Sequence, residues 1–209
     1  MNAPPAAGTL YLVPTPLDHG VASLTPLEDV LPLGTIGVAA RLAHWVAENA
    51  KSTRAFLARV NAKVPLSQPI QAHSIVELPR HVHKKGDHDG GAAGFDARDL
   101  LAPLLQGHDV GLISEAGMPA IADPGSSVVR AAHALGIAGV PLVGPVSILL
   151  ALAASGLNGQ NFAFVGYLPQ QEDERIQRLR ALEALALKSG QTQLFIETPY
   201  RNAALLRGV

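Results

Sequence analysis

Residues 109–125 read DVGLISEAGMPAIADPG, and the fold of the chain turns on them. DVGLI is an apolar run of strand length, and SVVRAAHALG, which follows, has helical spacing. Between the two lie the small, Gly- and Pro-rich residues Ser114–Gly125. A connection from strand to helix ordinarily takes roughly 2–6 residues, so this one is long for a connector. Asp123 sits where a helix cap belongs, Pro124 suits a first helical position, and Gly136 falls just past the helix end. In an open α/β sheet, ligands bind beyond the carboxyl ends of the strands. The stretch therefore reads as a loop offering main chain to a flat, partly polar ligand. Gly117 and the alanines admit close approach, while Pro119 and Pro124 stiffen the backbone.

Working outward, strands and helices alternate. LYLVP (10–14), AHWVAE (43–48), HSIVEL (73–78), VPLVG (140–144), NFAFVGYLP (161–169) and TQLFIE (192–197) read as strands. Short helices are expected over TPLEDVL (25–31) and over STRAFLARV (52–60), the latter capped by Ser52 or Thr53. DARDLLAPLLQG (96–107) reads as a helix with Asp96 as cap, a kink at Pro103 and Gly107 as terminator. SILLALAAS (147–155), the charged stretch 172–190 and the start of NAALLRGV complete the helices. The alternation predicts an α/β protein with a mainly parallel sheet in its first half. The Gly-Pro after VPLV places a boundary there. It gives an N-terminal α/β domain over 1–144 and a smaller mixed α/β domain over 145–209, expected to be incomplete at its C-terminal end.

Composition sets the class. The 209 residues are 48% apolar, with a mean hydropathy of +0.22, as in a globular chain. A net charge of −1 gives no global signal for nucleic acid. The absence of cysteine removes disulfides, thiolate metal sites and cysteine nucleophiles. The stretch IAGVPLVGPVSILLALAASGL is long enough to span a bilayer, but Pro141, Gly144 and Pro145 break it into a strand and a short helix. No basic residue precedes the first apolar run, so no signal peptide is expected, and the reading is a cytoplasmic protein without a membrane span.

The common α/β signatures are missing. There is no Gly-x-Gly, no G-K-[ST], no G-x-S-x-G and no H-E-x-x-H. The loop RHVHKKGDHDGGAAG (80–94) holds His81, His83, Asp87, His88 and Asp89, but its lysines and glycines favour a polar surface loop over a metal site. No metal is expected. Arg80, Lys84 and Lys85 in that loop are of a kind that meets phosphates.

LYLVPTPL, VAENAKSTRAFL, DVGLISEAGMPAIADPG, VPLVGPVSILLALAASGL and FIETPYR occur in the order found in the tetrapyrrole methylase superfamily. The branch they resemble most is that of the ribosomal small-subunit RNA 2′-O-ribose methyltransferases, over essentially the whole chain. The resemblance implies a two-domain α/β methyltransferase, a homodimer that uses S-adenosylmethionine held between its domains. It implies a cofactor loop made of Ser114, Glu115, Ala116 and Gly117 with Pro119, Ile121 and Ala122, joined by Ser147, Leu168 and Pro199. Pro14, Thr15, Pro16 and Glu48 correspond to loops facing the methyl acceptor. The superfamily lacks Gly-x-Gly, so that absence is an agreement.

Two departures fall in the acceptor half. PTPLDHGVAS stands where the branch reads P-T-P-[IL]-G-N-L. AENAKSTR stands where it reads A-E-D-T-R, with Asn49 for Asp and Thr53-Arg54 displaced. Methyl transfer is thus better supported than RNA as acceptor, and a tetrapyrrole or other small molecule, or a binding module without turnover, stays open. A hydroxyl acceptor calls for a general base. Glu48 is the candidate, with His19 and His44 behind it. Arg54 and Arg201 are candidates for meeting an anionic acceptor.

Overall fold

The computed structural model describes residues 6–18, 20–79, 82 and 95–206. The His-rich loop and His19 lie outside the described residues. By its internal contacts the chain divides into two compact units, Met1–Val146 and Ser147–Val209.

The first unit is built on strands β1 (Leu10–Val13), β2 (His44–Ala47), β3 (Ser74–Glu77), β4 (Val110–Ile113) and β5 (Gly139–Pro141). They lie in the order β3-β2-β4-β1-β5, and every pairing is parallel. The α/β class with a parallel sheet is borne out. β4 is central and all four of its residues are buried, which is why VGLI is apolar without alternation. Gly111 within it is dictated by packing: a Cβ there would stand 2.6 Å from the Trp45 ring.

Parallel neighbours need crossovers, and helices supply them. The unit's α-helices are α1 (Leu27–Val30), α2 (Leu33–Arg41), α3 (Ala50–Asn61), α4 (Ala102–Leu105) and α5 (Ser126–Ala134). Period-two alternation along the strands divides the core in two. Val13, Trp45, Ala47 and Ile113 pack with Leu31, Ile36, Phe56 and Leu57. Leu10, Val46, Val110 and Leu112 pack with Leu101, Leu104, Val128 and Ala132.

Several sequence expectations are corrected. α3 starts earlier than Ser52, and its cap is Asn49, whose Oδ1 accepts from the backbone N–H of Lys51 (2.8 Å) and Ser52 (3.2 Å). The Ser52 and Thr53 hydroxyls instead donate back to the Asn49 carbonyl. α2 had no sequence signal, since LGTIGVAAR carries Gly and β-branched residues; burial of Thr35, Ile36, Ala39 and Ala40 overrides propensity. The stretch 96–107 forms no single helix but a 3₁₀ turn, Arg98–Leu101, running into α4, with Pro103 in the first turn of the latter. The N-cap of the next helix is Gly125, not Asp123. α5 begins at Ser126 after Gly125, whose φ of 138° only glycine adopts readily.

The second unit comprises α6 (Ser147–Ser155), β6 (Phe162–Tyr167), α7 (Glu172–Ser189), β7 (Thr192–Ile196), a 3₁₀ turn (Pro199–Arg201) and α8 (Asn202–Leu206). β6 and β7 are parallel, with a register shift between Phe164 and Tyr167. α7 closes on Gly190 in the left-handed region, where the Gly190 N–H donates to the Ala186 carbonyl. Among the described residues no helix is long and apolar enough to cross a membrane.

Candidate functional site

The long loop leaves β4 and returns to α5 through unusual backbone. Ala120 and Ala122 both have φ of 65°, a left-handed conformation that costs an alanine about 1 kcal/mol or more. Gly117 has φ of 75° and Gly125 has φ of 138°. A Cβ on Gly125 would meet Leu112 Cδ2 at 3.0 Å and the Ala120 nitrogen at 3.2 Å. Such strain persists where surrounding contacts over-determine it, and it concentrates at functional loops.

Those contacts are visible. Thr15 and Gly117 exchange two backbone hydrogen bonds, 2.9 Å from the Thr15 N–H and 3.1 Å from the Gly117 N–H. The Thr15 hydroxyl reaches the Ser114 carbonyl at 3.4 Å. Gly144 packs so tightly on Pro14 that a Cβ would stand 2.3 Å from its ring. The turn after β1 is therefore locked to the loop after β4. This revises the role of Gly117: its N–H is already committed to Thr15, and its positive φ, with Leu17 Cδ2 at 3.1 Å from a Cβ position, explains the glycine.

Carboxyl groups gather at the same strand ends. Glu48 follows β2; its N–H donates to the Ile113 carbonyl, and its Oε2 accepts from the Glu115 N–H, each at 3.1 Å. Asp123, half-buried, has its carboxyl pushed up from 3.8 to about 7. Burial is the main cause, followed by the charge of Glu48 and then that of Glu115. The Ser114 hydroxyl opposes the shift. That hydroxyl is itself deeply buried and closes no hydrogen bond of ordinary geometry.

Beside these groups lies a cavity of about 180 Å³. Thr15 and Pro16 bound it from the β1 turn, Ser114 and Glu115 from the β4 loop, and Ser52, Ala55, Phe56 and Arg59 from α3. Asp18, Gly20, Val21 and Leu24 close the remaining side. A clasp fixes that side. The Arg59 guanidinium makes two bonds to the Asp18 carboxylate, 3.2 and 3.0 Å, and a third to the Thr25 carbonyl at 2.6 Å. The Thr25 N–H closes the ring on Asp18 Oδ2 at 3.1 Å. Asp18 is 8% exposed, so the fork is a charge-assisted contact shielded from water.

The structure thus brings Thr15, Pro16 and Glu48 together with Ser114, Glu115 and Gly117. Pro14 supports them from beneath, against Gly144. Pro119 is buried in the loop, while Ala116 is half-buried and Ile121 and Ala122 are exposed. Arg54 is exposed on α3 and does not line the cavity. His44 starts β2, at the other end of the strand from Glu48; its imidazole is held below its ordinary range by burial and by His108, so it is no base for this site. Ser147 (exposed, first residue of α6), Leu168 (buried after β6) and Pro199 (opening the last 3₁₀ turn) belong to the second unit. Arg201 there is engaged by Glu197 at 2.5 Å. Sequence reasoning missed Asp123, which its place before Pro124 disguised as a cap. It also missed the Asp18–Arg59 clasp, which joins positions far apart in the chain.

No protein-family model matches the chain. Curated proteins do. The Ribosomal RNA small subunit methyltransferase I of Pseudomonas aeruginosa is 32% identical over 196 residues, covering 94% of this chain and 58% of that protein. Its counterpart from Halalkalibacterium halodurans is 34% identical over 196 residues, 93% of this chain and 56% of that protein. The one from Bacillus subtilis is 30% identical over 194 residues. The chain is a homologue of these proteins. The resemblance to the ribosomal small-subunit RNA methyltransferases is borne out. The chain spans under three-fifths of the length of the Pseudomonas and Halalkalibacterium methyltransferases. Among the described residues no group of three or more His, Cys, Asp or Glu is arranged to hold a metal ion.

Proposed function

We propose that this chain takes part in transferring a methyl group from S-adenosylmethionine to a ribose 2′-hydroxyl of RNA. The carrying observation is the strained loop Ser114–Gly125, in which burial and the charges of Glu48 and Glu115 act on the Asp123 carboxyl beside the buried Ser114 hydroxyl. The donor set fits the cofactor's charge. S-adenosylmethionine bears a cationic sulfonium and an ammonium group, and it supplies an activated methyl when bound. Carboxyl groups that repel one another gain from such a ligand. The RNA acceptor is supported by the names of the homologous methyltransferases.

The chain's own part is positioning and proton management. Glu48, with one oxygen spent on the Glu115 N–H, is a positioning residue that fixes the main chain at the mouth of the loop. Asp123 is the proton acceptor for the hydroxyl, since a base works best when its proton affinity lies near the operating pH. A cationic donor beside it would draw off its proton and leave the carboxylate that the acceptor needs. We further propose a cytoplasmic homodimer, which the exposed Leu187, Tyr200 and Leu206 support as apolar surface awaiting cover.

The test is transfer of a tritiated methyl group from S-adenosylmethionine into cell extract, fractionated into RNA, protein and small molecules. Label in the RNA fraction is expected. Label confined to small molecules would replace the acceptor, and no label at all would leave a binding module.

A further inference from the structure

We infer that the cavity between α3 and the wall formed by Pro16, Asp18, Val21 and Leu24 takes one unstacked nucleobase of an RNA strand, with the flanking phosphates held on Lys51 and Arg54. This rests on the reading above that the acceptor is RNA, and it assigns the acceptor subsite.

Size comes first. About 180 Å³ is well below the roughly 300–1,000 Å³ that encloses a drug-sized ligand, so the space suits a single ring. The walls come next. Pro16, Phe56, Val21 and Leu24 give apolar faces for a flat ring, and Val21 and Leu24 are 54% and 58% exposed at the rim. Glu115 is among the lining residues, and its negative charge disfavours a phosphate in the space. Arg59 and Asp18 also line the space but satisfy each other, so they shape it without adding net charge. Their clasp ties Asp18 and Thr25 to α3 before any ligand arrives, which lowers the ordering cost of binding.

The helix then divides its faces. Ser52, Ala55, Phe56 and Arg59, spaced as one helical face, line the cavity. Lys51 and Arg54 fall on the adjoining exposed strip, and neither has an ion-pair partner among the described residues. A base drawn into the cavity would leave its backbone running along that strip. Phosphate contacts position a strand, and the pocket reads the base. Finally, Ser114 and Glu115 belong both to the cavity wall and to the proposed donor loop, so the ribose of a captured nucleotide lies beside the donor.

The probe is a single-stranded decamer RNA with one 2-aminopurine, whose emission rises when the base leaves the stack. Protein carrying S-adenosylhomocysteine is expected to raise that emission. Ala55→Trp and, from the opposite wall, Val21→Trp fill the cavity and should abolish the rise while S-adenosylhomocysteine affinity stays unchanged. Lys51→Glu with Arg54→Glu should weaken decamer binding roughly tenfold or more at low salt and flatten its salt dependence. Binding of the decamer with no rise in emission overturns the proposal. So does an undiminished rise in both tryptophan variants. Methylation of RNA that persists in both tryptophan variants overturns the pocket but leaves the methyltransferase reading intact. A pocket-dependent rise without methyl transfer to any RNA does the reverse.

Discussion

The two ends of the same parallel sheet are built on opposite electrostatic plans. At the amino ends, a carboxylate meets an opposite charge. Asp109 accepts from the Thr9 N–H at 2.9 Å and stands 3.8 Å from Arg41, which lies over the Tyr11 ring and donates to its hydroxyl. His44 and His108 lie with ring centres 5.1 Å apart and planes tilted by 36°. Burial, then the charge of His108, makes His44 shed its proton more readily than free imidazole, so the pair avoids like charge through a neutral His44. No non-glycine residue there has positive φ. At the carboxyl ends, like charges meet: Glu48, Glu115 and Asp123 crowd together, and two alanines are held left-handed. The first end is arranged for stability. The second carries strain and a displaced carboxyl pKa, at the end where an open α/β sheet is expected to bind ligands.

The largest expected effect that sharpens this contrast is at the active end. Asp123→Asn should lower methyl transfer about 10²–10³-fold, the scale of a lost general base, with S-adenosylmethionine still bound. The parent's kcat/KM should rise with pH through about 7, and the variant's should not. Stability should move the other way. A carboxyl raised from 3.8 to about 7 favours the fold fully below 3.8 and loses that contribution as pH rises through 7. Parent stability should thus fall by about 2 kcal/mol between pH 4 and 8, after discounting for partial exposure, and Asp123→Asn should remove most of that slope. Denaturant titrations at the two pH values check it.

Next in size is a change at the quiet end. Gly8→Ala puts a Cβ 2.0 Å from the His108 carbonyl oxygen, so it should destabilise by about 3 kcal/mol while cofactor affinity of the folded fraction is unchanged. A loss of affinity there would erase the division between the ends. Smaller is Arg41→Ala, which removes half-exposed pairs and should cost no more than about 1 kcal/mol, without effect on transfer. Smallest is Ala122→Gly, which should relieve strain and stabilise by about 0.5–1 kcal/mol, at some cost in affinity as the loop loosens. Thermal unfolding and calorimetry read both.

Legibility in the sequence follows the same divide. β4, α6 and α7 were readable because an apolar run or clear end signals fixed them locally. α2 was not, because its helix is held by burial of Ile36 and Ala39 and by Thr35 donating to the Val143 carbonyl, a contact across the fold. The loop Ser114–Gly125 announced itself by length and composition. Its partners did not: Thr15 pairing with Gly117, Glu48 bonding Glu115, and Arg59 clasping Asp18 each join residues tens of positions apart. Asp123 was misread because Asp-Pro is also a good helix start, and the carboxyls that raise its pKa come from elsewhere in the fold.

The most direct measurement is calorimetric titration of S-adenosylmethionine at pH 7 in two buffers of different ionisation enthalpy. A cationic ligand that meets Asp123, half-protonated at that pH, should bind with release of up to about half a proton per site, with or without chelator. Asp123→Asn should bind without that release. Failure of the folded protein to bind, or equal proton release from parent and variant, would contradict the assignment of the sheet's carboxyl end as the cofactor site.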